Sequence, residues 1–261
     1  APEASEEQIR GTASFLRQPE DEIKNILAVG LPLPLARTST RTEADLVVKR
    51  LMALGLNARF IDDQELMPHA AGPKLVRALD LTDASISLNT PGSGESVKFA
   101  WSDISLLVRG RFREKRTEIN ERQGKRQDKE LVDVRELTSD EMVLDVYAVN
   151  GWHGRITATG FNFSCLGAEK TFATGQNFNT LVERMRLQAT EAVLDDTYQG
   201  ARTALDLAWP LTQKSEALGW KRHSLGKIST DAAMITDNEL QFTRYSRLRY
   251  LLNAAEKETA T

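Results

Sequence analysis

The sequence is poor in the residues that build cross-links and metal sites. Its 261 residues include one cysteine, Cys165, and three histidines, His69, His153 and His223. One cysteine cannot form an intramolecular disulfide or supply a cysteine-based zinc site. None of the histidines has another histidine or a carboxylate at ligand spacing, so we expect all three in exposed loops. The sequence therefore predicts neither a metal nor another cofactor.

The sequence also lacks a surplus of either charge and a long apolar run. Its 34 basic and 37 acidic residues give a net charge of −3 at pH 7, whereas nucleic-acid-binding proteins normally carry a basic surplus. We therefore expect no nucleic-acid partner. The longest apolar stretch, residues 25–36, is too short for a membrane span and contains Pro32 and Pro34. With no recognisable signal peptide and one cysteine, we expect a cytoplasmic protein without a transmembrane segment.

Short segments that alternate apolar and polar residues run from Leu75 to Ala189. Residues 85–88 and 97–101 flank turn residues at 89–94 and predict a β-hairpin. Residues 104–108, 142–149 and 155–159 continue the strand pattern, with a glycine-containing turn at 150–154. An amphipathic helix then follows, with Asn177 as its N-cap residue. Its predicted buried face consists of Phe178, Leu181, Val182, Met185 and Ala189.

A helix with clear signals at both ends lies in the first quarter of the chain. Thr40 and Glu43 form a capping box at its start, and Gly55 suits a left-handed C-cap. The turn at 35–40 has hydroxyls but no glycine, so we favour capping over anion binding there. Residues 26–29 and 56–61 predict flanking strands, which makes residues 25–62 a β-α-β unit. About 40 residues cannot bury a core unaided, so this unit must pack against another surface.

The remaining segments have weaker patterns. Residues 67–73 are rich in proline and glycine and predict a domain boundary. Residues 109–136 mix both charges and predict a long strand end, a loop or a solvent-exposed helix, rather than a partner-docking arm. Residues 191–207 predict a helix and residues 212–229 a loop. The last helix is predicted to begin at a capping box from Thr236 to Glu239.

The segment from 73 to 190 resembles the pleckstrin-homology-like domain of bacterial proteins of unknown role. The resemblance rests on the element Phe99-Ala-Trp-Ser-Asp-Ile104 and on the order of many strands followed by one covering helix. It implies a strand-rich barrel closed by that helix. Phosphoinositide-binding members carry clustered basic residues around their first hairpin, whereas this hairpin has only Lys98, so we do not expect lipid binding. Residues 21–72 resemble half of a ferredoxin-like module by element order.

The predicted fold class is therefore α+β, with four consecutive parts. A polar tail with a short helix occupies residues 1–20, and the β-α-β unit occupies residues 21–72. The pleckstrin-homology-like barrel spans residues 73–190. A helical C-terminal extension spans residues 191–261.

The sequence contains no catalytic spacing, so it predicts a non-enzymatic binding or scaffold protein with protein partners. It leaves homo-oligomerisation open. The candidate partner-binding residues are Arg244, Arg247 and Arg249 of the last helix, which could present guanidinium groups to an acidic or phosphorylated partner. Alternatively, these arginines dock the helix by pairing with Asp195, Asp196 or Asp206.

Two other classes of function remain open. An enzyme would have to assemble its site from distant residues, and the candidates are Cys165, His153 and the Asp195-Asp196 pair. Cys165 lies among Phe161, Phe163 and Leu166, which favours a structural role. A peripheral membrane protein would use the arginine-rich last helix on anionic lipids.

Overall fold

The computed structural model describes residues 4–67, 72–91, 96–123, 129–224 and 227–260. Of these, residues 119–123, 129–133, 217–224, 227–232 and 258–260 are described by their backbone alone. The fold is mixed α+β. The helices are α1 (Glu6–Leu16), α2 (Glu20–Ala28), α3 (Arg41–Ala53), α4 (Asp63–Leu66), α5 (Thr174–Gln188), α6 (Tyr198–Leu205) and α7 (Glu239–Ala260). The strands are β1 (Lys74–Val76), β2 (Ala78–Leu81), β3 (Ser85–Asn89), β4 (Ser96–Ala100), β5 (Ile104–Gln123), β6 (Lys129–Ala148), β7 (His153–Thr157), β8 (Val193–Asp195), β9 (Thr212–Ser224) and β10 (Lys227–Asp237).

The chain forms two compact units. The first consists of residues 1–72 and 196–210, and the second of residues 73–195 and 211–261. Helix α6 therefore belongs to the first unit although it follows most of the second unit in sequence. We describe each unit separately.

The described part of the first unit contains helices and no strands, so the predicted β-α-β unit over residues 21–72 is wrong. Residues 26–28 end α2 instead of forming a strand, and residues 56–61 pair with no other segment that the structure describes. Ile23 and Ile26 are buried three positions apart on α2, and its acidic first turn complements the helix dipole. A short apolar run such as Ile26–Val29 fits a helix as well as a strand, and here the helix forms.

Helix α3 has the ends that the sequence predicts. Thr40 accepts from the backbone N–H of Glu43 at 3.3 Å, and the Glu43 carboxylate accepts from the backbone N–H of Thr40 at 3.1 Å. Gly55 follows the helix with φ +80°, which is why glycine suits this position. The Thr40 hydroxyl therefore serves as the cap of this helix.

A curled seven-stranded sheet organises the second unit. Its strand order is β1-β7-β6-β5-β10-β9. Strand β8 also pairs with β5, on the same edge of β5 as β10 but at a different part of that strand. The pairs β1–β7 and β5–β8 are parallel, and the other pairs are antiparallel. Strands β2, β3 and β4 form a separate antiparallel sheet. The pairing of β3 with β4 confirms the predicted hairpin, although residues 92–95 of its turn lie outside the described residues.

One face of the curled sheet packs on α5. Leu144, Val146 and Ile156 of the sheet share a buried core with the predicted inward face of the helix, which is confirmed. That face consists of Phe178, Leu181, Val182, Met185 and Ala189. The helix begins at Thr174, however, so Asn177 is not its N-cap residue. Its carboxamide accepts from the backbone N–H of Thr171 at 2.7 Å and donates to the Thr171 carbonyl at 2.8 Å, which fixes the preceding loop.

The predicted helical extension over residues 191–261 contains α6 and α7, but the prediction is wrong for its other segments, because β8, β9 and β10 lie within it. Residues 212–237 show little apolar alternation, which is why the sequence resembles a loop there. The predicted capping box at Thr236 is also wrong, since Thr236 belongs to β10. Asn238 precedes α7, where its side chain accepts from the backbone N–H of Arg113 at 2.7 Å and donates to the Arg111 carbonyl at 3.0 Å.

The charged stretch at 109–136 forms the long strands β5 and β6, which confirms the strand-end alternative. The two strands pair from Ile104 opposite Ala148 to Gln123 opposite Lys129. Opposite charges meet across them, with Arg113 3.4 Å from Asp140 and Lys115 2.9 Å from Glu136. Such cross-strand charge pairs stabilise a sheet whose two faces are both exposed to solvent. Strands in such a sheet need no apolar face, which explains the charged sequence of this stretch.

Candidate functional site

A row of buried polar residues crosses the sheet on the face that carries α7. Asp195 of β8 and Asp145 of β6 are both register partners of Val108 on β5, and Asp145 is the partner of Arg155 on β7. Register partners direct their side chains to the same face of a sheet. All three polar residues of this row are almost completely buried. We call Asp195, Asp145 and Arg155 the polar row.

Arg155 and Asp145 form a bidentate pair at the centre of the polar row. Arg155 Nε donates to Asp145 Oδ1 at 2.7 Å, and Arg155 Nη2 donates to Asp145 Oδ2 at 2.8 Å. The same Nη2 donates to Thr243 Oγ1 of α7 at 3.0 Å. The guanidinium lies 5.1 Å from the ring centroid of Phe112 and 5.3 Å from that of Phe242. Arg155 Nη1 also donates to Glu239 Oε1 of α7 at 3.5 Å. Two aromatic faces and four oxygen contacts thus bind one side chain between the sheet and α7.

The electrostatics of this pair keep both partners charged. Burial raises the pKa of the Asp145 carboxyl, but the charges of Arg155 and His153 and the hydrogen bonds from Arg155 outweigh it. The pKa of Asp145 therefore lies well below its usual range. Burial lowers the pKa of Arg155, and the nearby Asp145 carboxylate more than restores it, so that pKa is raised. Neither group is poised to transfer a proton near neutral pH.

Three stacked rings lie beside the pair. The ring of Tyr147 lies 4.1 Å from that of His153 on one side and 4.7 Å from that of Tyr250 on the other. Tyr147 Oη lies 3.0 Å from Ser246 Oγ of α7. Burial, reinforced by the charge of Asp145, raises the pKa of Tyr147 well above its ordinary value, so it remains a neutral hydroxyl. The stack is a second attachment of α7 to the sheet.

His153 belongs to this cluster, so the prediction that it lies in an exposed loop is wrong. It is the first residue of β7, and 16% of its side chain is exposed. The reason is the tight turn, in which Gly151 has φ +85° and returns the chain early enough to place His153 opposite Tyr147. His153 Nε2 lies 2.9 Å from Asp145 Oδ2 without the alignment of a hydrogen bond. His69 lies outside the described residues, and His223 is on β9 with its side chain not described.

Asp195 forms the other end of the polar row. Its carboxylate accepts from Tyr245 Oη at 3.1 Å and pairs with Arg249 Nε, both from α7. The pairing of Arg249 with Asp195 is the helix-docking alternative that the sequence allowed. Asp196 is exposed, so Asp195 and Asp196 do not share one buried acid site.

Arg247, another arginine of the predicted partner-binding set, lies 4.7 Å above the ring of Tyr250. The third, Arg244, is half-buried. A cation over an aromatic face is a common way to attach a long side chain to its own helix. The contacts of Arg247 and Arg249 are therefore intramolecular.

Cys165 lies on the opposite side of the sheet from His153. It belongs to the 3-10 helix Phe163–Glu169 and packs against the core shared by the sheet and α5. Burial raises the pKa of its thiol, although the charge of Arg184 acts in the other direction. His153 is on the α7 face, so the sheet separates the thiol from the imidazole. The structure does not bring together the candidate nucleophile and base.

A shallow cleft of about 510 Å3 lies between the end of β7 and the start of α5. Phe161 and Phe163 form its floor, and the fully exposed Phe172 lies at its rim. Among its described lining residues, Lys170 is the one titratable side chain. The cleft therefore offers no acid–base pair.

The described residues contain no group of three or more histidine, cysteine or acidic side chains placed to bind a metal ion. Among the described helices, none combines the length and apolar character needed to cross a membrane. Comparison with family models, with curated proteins and with solved structures finds no significant match for this chain.

The sequence interpretation missed Asp145, Arg155 and Tyr147. A signal for them exists in the printed sequence. Asp145 interrupts an otherwise apolar strand at 142–149, and a buried acid requires a partner. With the turn centred on Asn150, antiparallel pairing places Asp145 opposite Arg155 and Tyr147 opposite His153. Strand alternation and the position of the turn together predict the Asp145–Arg155 and Tyr147–His153 pairs.

Proposed function

We propose that this chain is a non-enzymatic interaction protein whose second unit is a variant of the pleckstrin-homology-like architecture. Support for the architecture is the element order, in which β2–β4 form one sheet, β5–β7 continue in another, and α5 follows and packs on the core. The charged extension of the sheet and α7 are additions to that plan.

The use of the buried polar groups supports a binding role over catalysis. The carboxylates and the guanidinium of the polar row, with the hydroxyls of Thr243 and Tyr245, attach α7 to the sheet. An enzyme site needs such groups beside a space for substrate. The cleft near α5 is on the other face and has Lys170 as its one described titratable lining residue.

The single observation that carries the proposal is the four-stranded part of the sheet beyond the core. We call it the arm: residues 113–123 of β5, residues 129–140 of β6, and strands β9 and β10. The pairing of β6 with β7 ends at Val143, so residues 129–140 of β6 have no partner in β7. Strand β9 has β10 as its one strand partner among the described residues. The arm thus ends in two open strand edges. Open edges are templates for adding another strand, and proteins use them to bind extended segments.

Site-specific photo-crosslinking in the cells that make the protein tests the proposal. We would place a photoreactive residue at Glu136 on β6 or at Ser215 on β9, and as a control at Glu183, which is exposed on α5. We expect discrete protein adducts from the two edge positions and none from the control. An equal yield of adducts from all three positions, or none from the edges, would remove the arm as the binding surface.

A further inference from the structure

The backbone directions identify which amides are open on β6. Ala158 N–H donates to the Met142 carbonyl at 2.9 Å, and Ala148 N–H donates to the Trp152 carbonyl at 3.0 Å, so even-numbered residues of β6 face away from β5. The direction alternates along a strand. The amides of Glu136 and Thr138 therefore point away from β5, where no described strand pairs with them.

The same alternation identifies the open amides of β9. Leu137 pairs with Arg116 on β5, Thr117 with Met234 on β10, and Ile235 with Lys214 on β9. Because the amide of Thr138 points away from β5, that of Leu137 points toward β5, and alternation makes each of these three register pairs a hydrogen-bonded pair. Residues 212, 214 and 216 of β9 then face β10, and Gln213 and Ser215 face away from it.

The strand directions allow the two edges to join. Across the arm, β6, β5, β10 and β9 are each antiparallel to their neighbour. Four alternating strands leave β6 and β9 running in opposite directions at the two edges. A neighbouring copy that places its β6 beside β9 therefore continues the antiparallel pattern without reversing the sheet.

The charges of the two edges are opposite. The sequence of β6 from 129 to 140 has four acidic and two basic residues, and β9 has three basic and one acidic residue. A second β6 would thus meet like charge at β6, and a second β9 would meet like charge at β9. Some of these charges already pair within the arm, Glu136 with Lys115 and Asp140 with Arg113, so the preference comes from the net charge of each edge. Opposite net charges favour β6 beside β9 and disfavour the two symmetric pairings.

The two edges of the arm lack proline, which is one common protection against strand addition. Val134 and Leu137 on β6 are 48% and 54% exposed. Burial of such aliphatic side chains against another strand is favourable.

We infer that the arm of one copy of this chain binds the arm of the next copy, with β6 of one paired to β9 of the other. The inference rests on the proposed function, because it names the partner of the same edges. The contact is head-to-tail, so a pair of copies retains one open β6 edge and one open β9 edge, and the assembly grows beyond a dimer unless it closes into a ring.

Sedimentation of the purified full chain tests the inference with no other protein present. The wild type should exceed the 29.1 kDa of one chain with rising concentration, and salt should reverse the increase by screening the edge charges. Thr138→Pro removes an outward amide of β6, and Ser215→Pro removes one of β9, while both spare the existing ladder. Each variant alone should be monomeric. Their mixture should form a dimer of one copy of each, because one intact edge of each kind remains.

The matched controls are Thr138→Ala and Ser215→Ala, which keep the outward amides and should associate as the wild type does. A dimer formed by either proline variant alone would mean symmetric pairing and would overturn the inference, as would a wild type that stays monomeric at its highest soluble concentration. If the purified chain is monomeric but edge crosslinks to another protein persist in cells, the inference fails and the proposed function stands.

Hydrogen exchange of the wild type gives a second measurement that needs no proline variant. Association should protect the amides of residues 134–140 and of residues 213–217 together, on comparing concentrated with dilute samples. Protection of one edge alone, or of neither, would contradict the head-to-tail contact.

Discussion

Arg155 shows at the scale of one residue how the α7 face is attached. Its guanidinium contacts β6 through Asp145 and α7 through Thr243, and it lies between two phenylalanine rings. Removal of one member of a buried pair leaves the other charged and unpaired, which costs more than the pair itself contributes.

Asp145→Asn should therefore lower the free energy of unfolding by about 3–5 kcal/mol at pH 7, because it leaves Arg155 buried without its counter-charge. Urea denaturation measures the loss. The double variant Asp145→Leu/Arg155→Met is the matched control, since it removes both charges and fills similar volume. We expect it to be more stable than the single variant. A single variant as stable as the wild type would mean that water reaches the pair.

The pH dependence of the same variant has a defined sign. The pKa of Asp145 is lower in the folded than in the unfolded chain. Its contribution to stability is then fully present above the unfolded value, about 4, and is lost as the pH falls toward the folded value. The difference between wild type and Asp145→Asn should shrink as the pH falls below about 4. A difference that grows on acidification would contradict the assignment.

Cys165 should react slowly with a thiol reagent in the folded protein. Burial raises the pKa of its thiol, which lowers the thiolate fraction, and the half-buried position limits access. Labelling followed by mass spectrometry should be far slower than in denaturant, where the same cysteine serves as its own control. Cys165→Ser should leave the self-association of the chain unchanged. Equal labelling rates in the two states would show an accessible, reactive thiol.

At the scale of an element, α5 contributes to the core through one face. Leu181 on that face is fully buried, and Leu187 on the same helix is 61% exposed. Glu183 and Arg186 bond to each other on the exposed side, with Arg186 Nε donating to Glu183 Oε2 at 2.9 Å. The buried face and the exposed face should therefore differ strongly in their response to substitution.

Leu181→Ala should lower the free energy of unfolding by about 2–5 kcal/mol, because it removes buried volume that the surrounding core cannot refill. Leu187→Ala makes the same chemical change on the exposed face and should stay within about 0.5 kcal/mol of the wild type. Denaturant melts of both variants measure the difference. Equal losses would mean that the assignment of the buried face is wrong.

At the scale of the whole molecule, the first unit is discontinuous in sequence. Helix α6 supplies Tyr198, Ala201 and Leu205 to it, all fully buried. Helix α2 is among its contacts. The apolar face of α3 is less covered, since Val47 and Val48 are half-buried. Residues 1–72 alone therefore lack part of their own core.

A fragment of residues 1–72 should unfold without a cooperative thermal transition, because its buried surface is too small without α6. The matched control joins residues 196–210 to the same fragment through a glycine–serine linker and should recover cooperativity. Circular dichroism melts compare the two. A sharp transition in the short fragment would show that α6 is not needed.

The sequence by itself determined the elements whose signals are local. The capping box at Thr40 and Glu43, the left-handed Gly55 and the inward face of α5 follow from side-chain chemistry within a few residues. The hairpin of β3 and β4 follows from alternation around a turn. Local signals of this kind are complete within one segment of chain.

Tertiary structure alone decided the helical state of Ile26–Ala28, the strands at 212–237 and the place of Asp195 in the polar row. An apolar run of four residues fits either a helix or a strand, and strands with charged side chains on both faces carry no alternation. Asp145, Arg155 and Asp195 are separated in sequence and meet because register across β8, β5, β6 and β7 places them on one face. The Asp145–Arg155 pair follows from a local hairpin, but the register of β8 on β5 depends on the pairing of distant strands, so Asp195 joins the row only when the sheet is assembled.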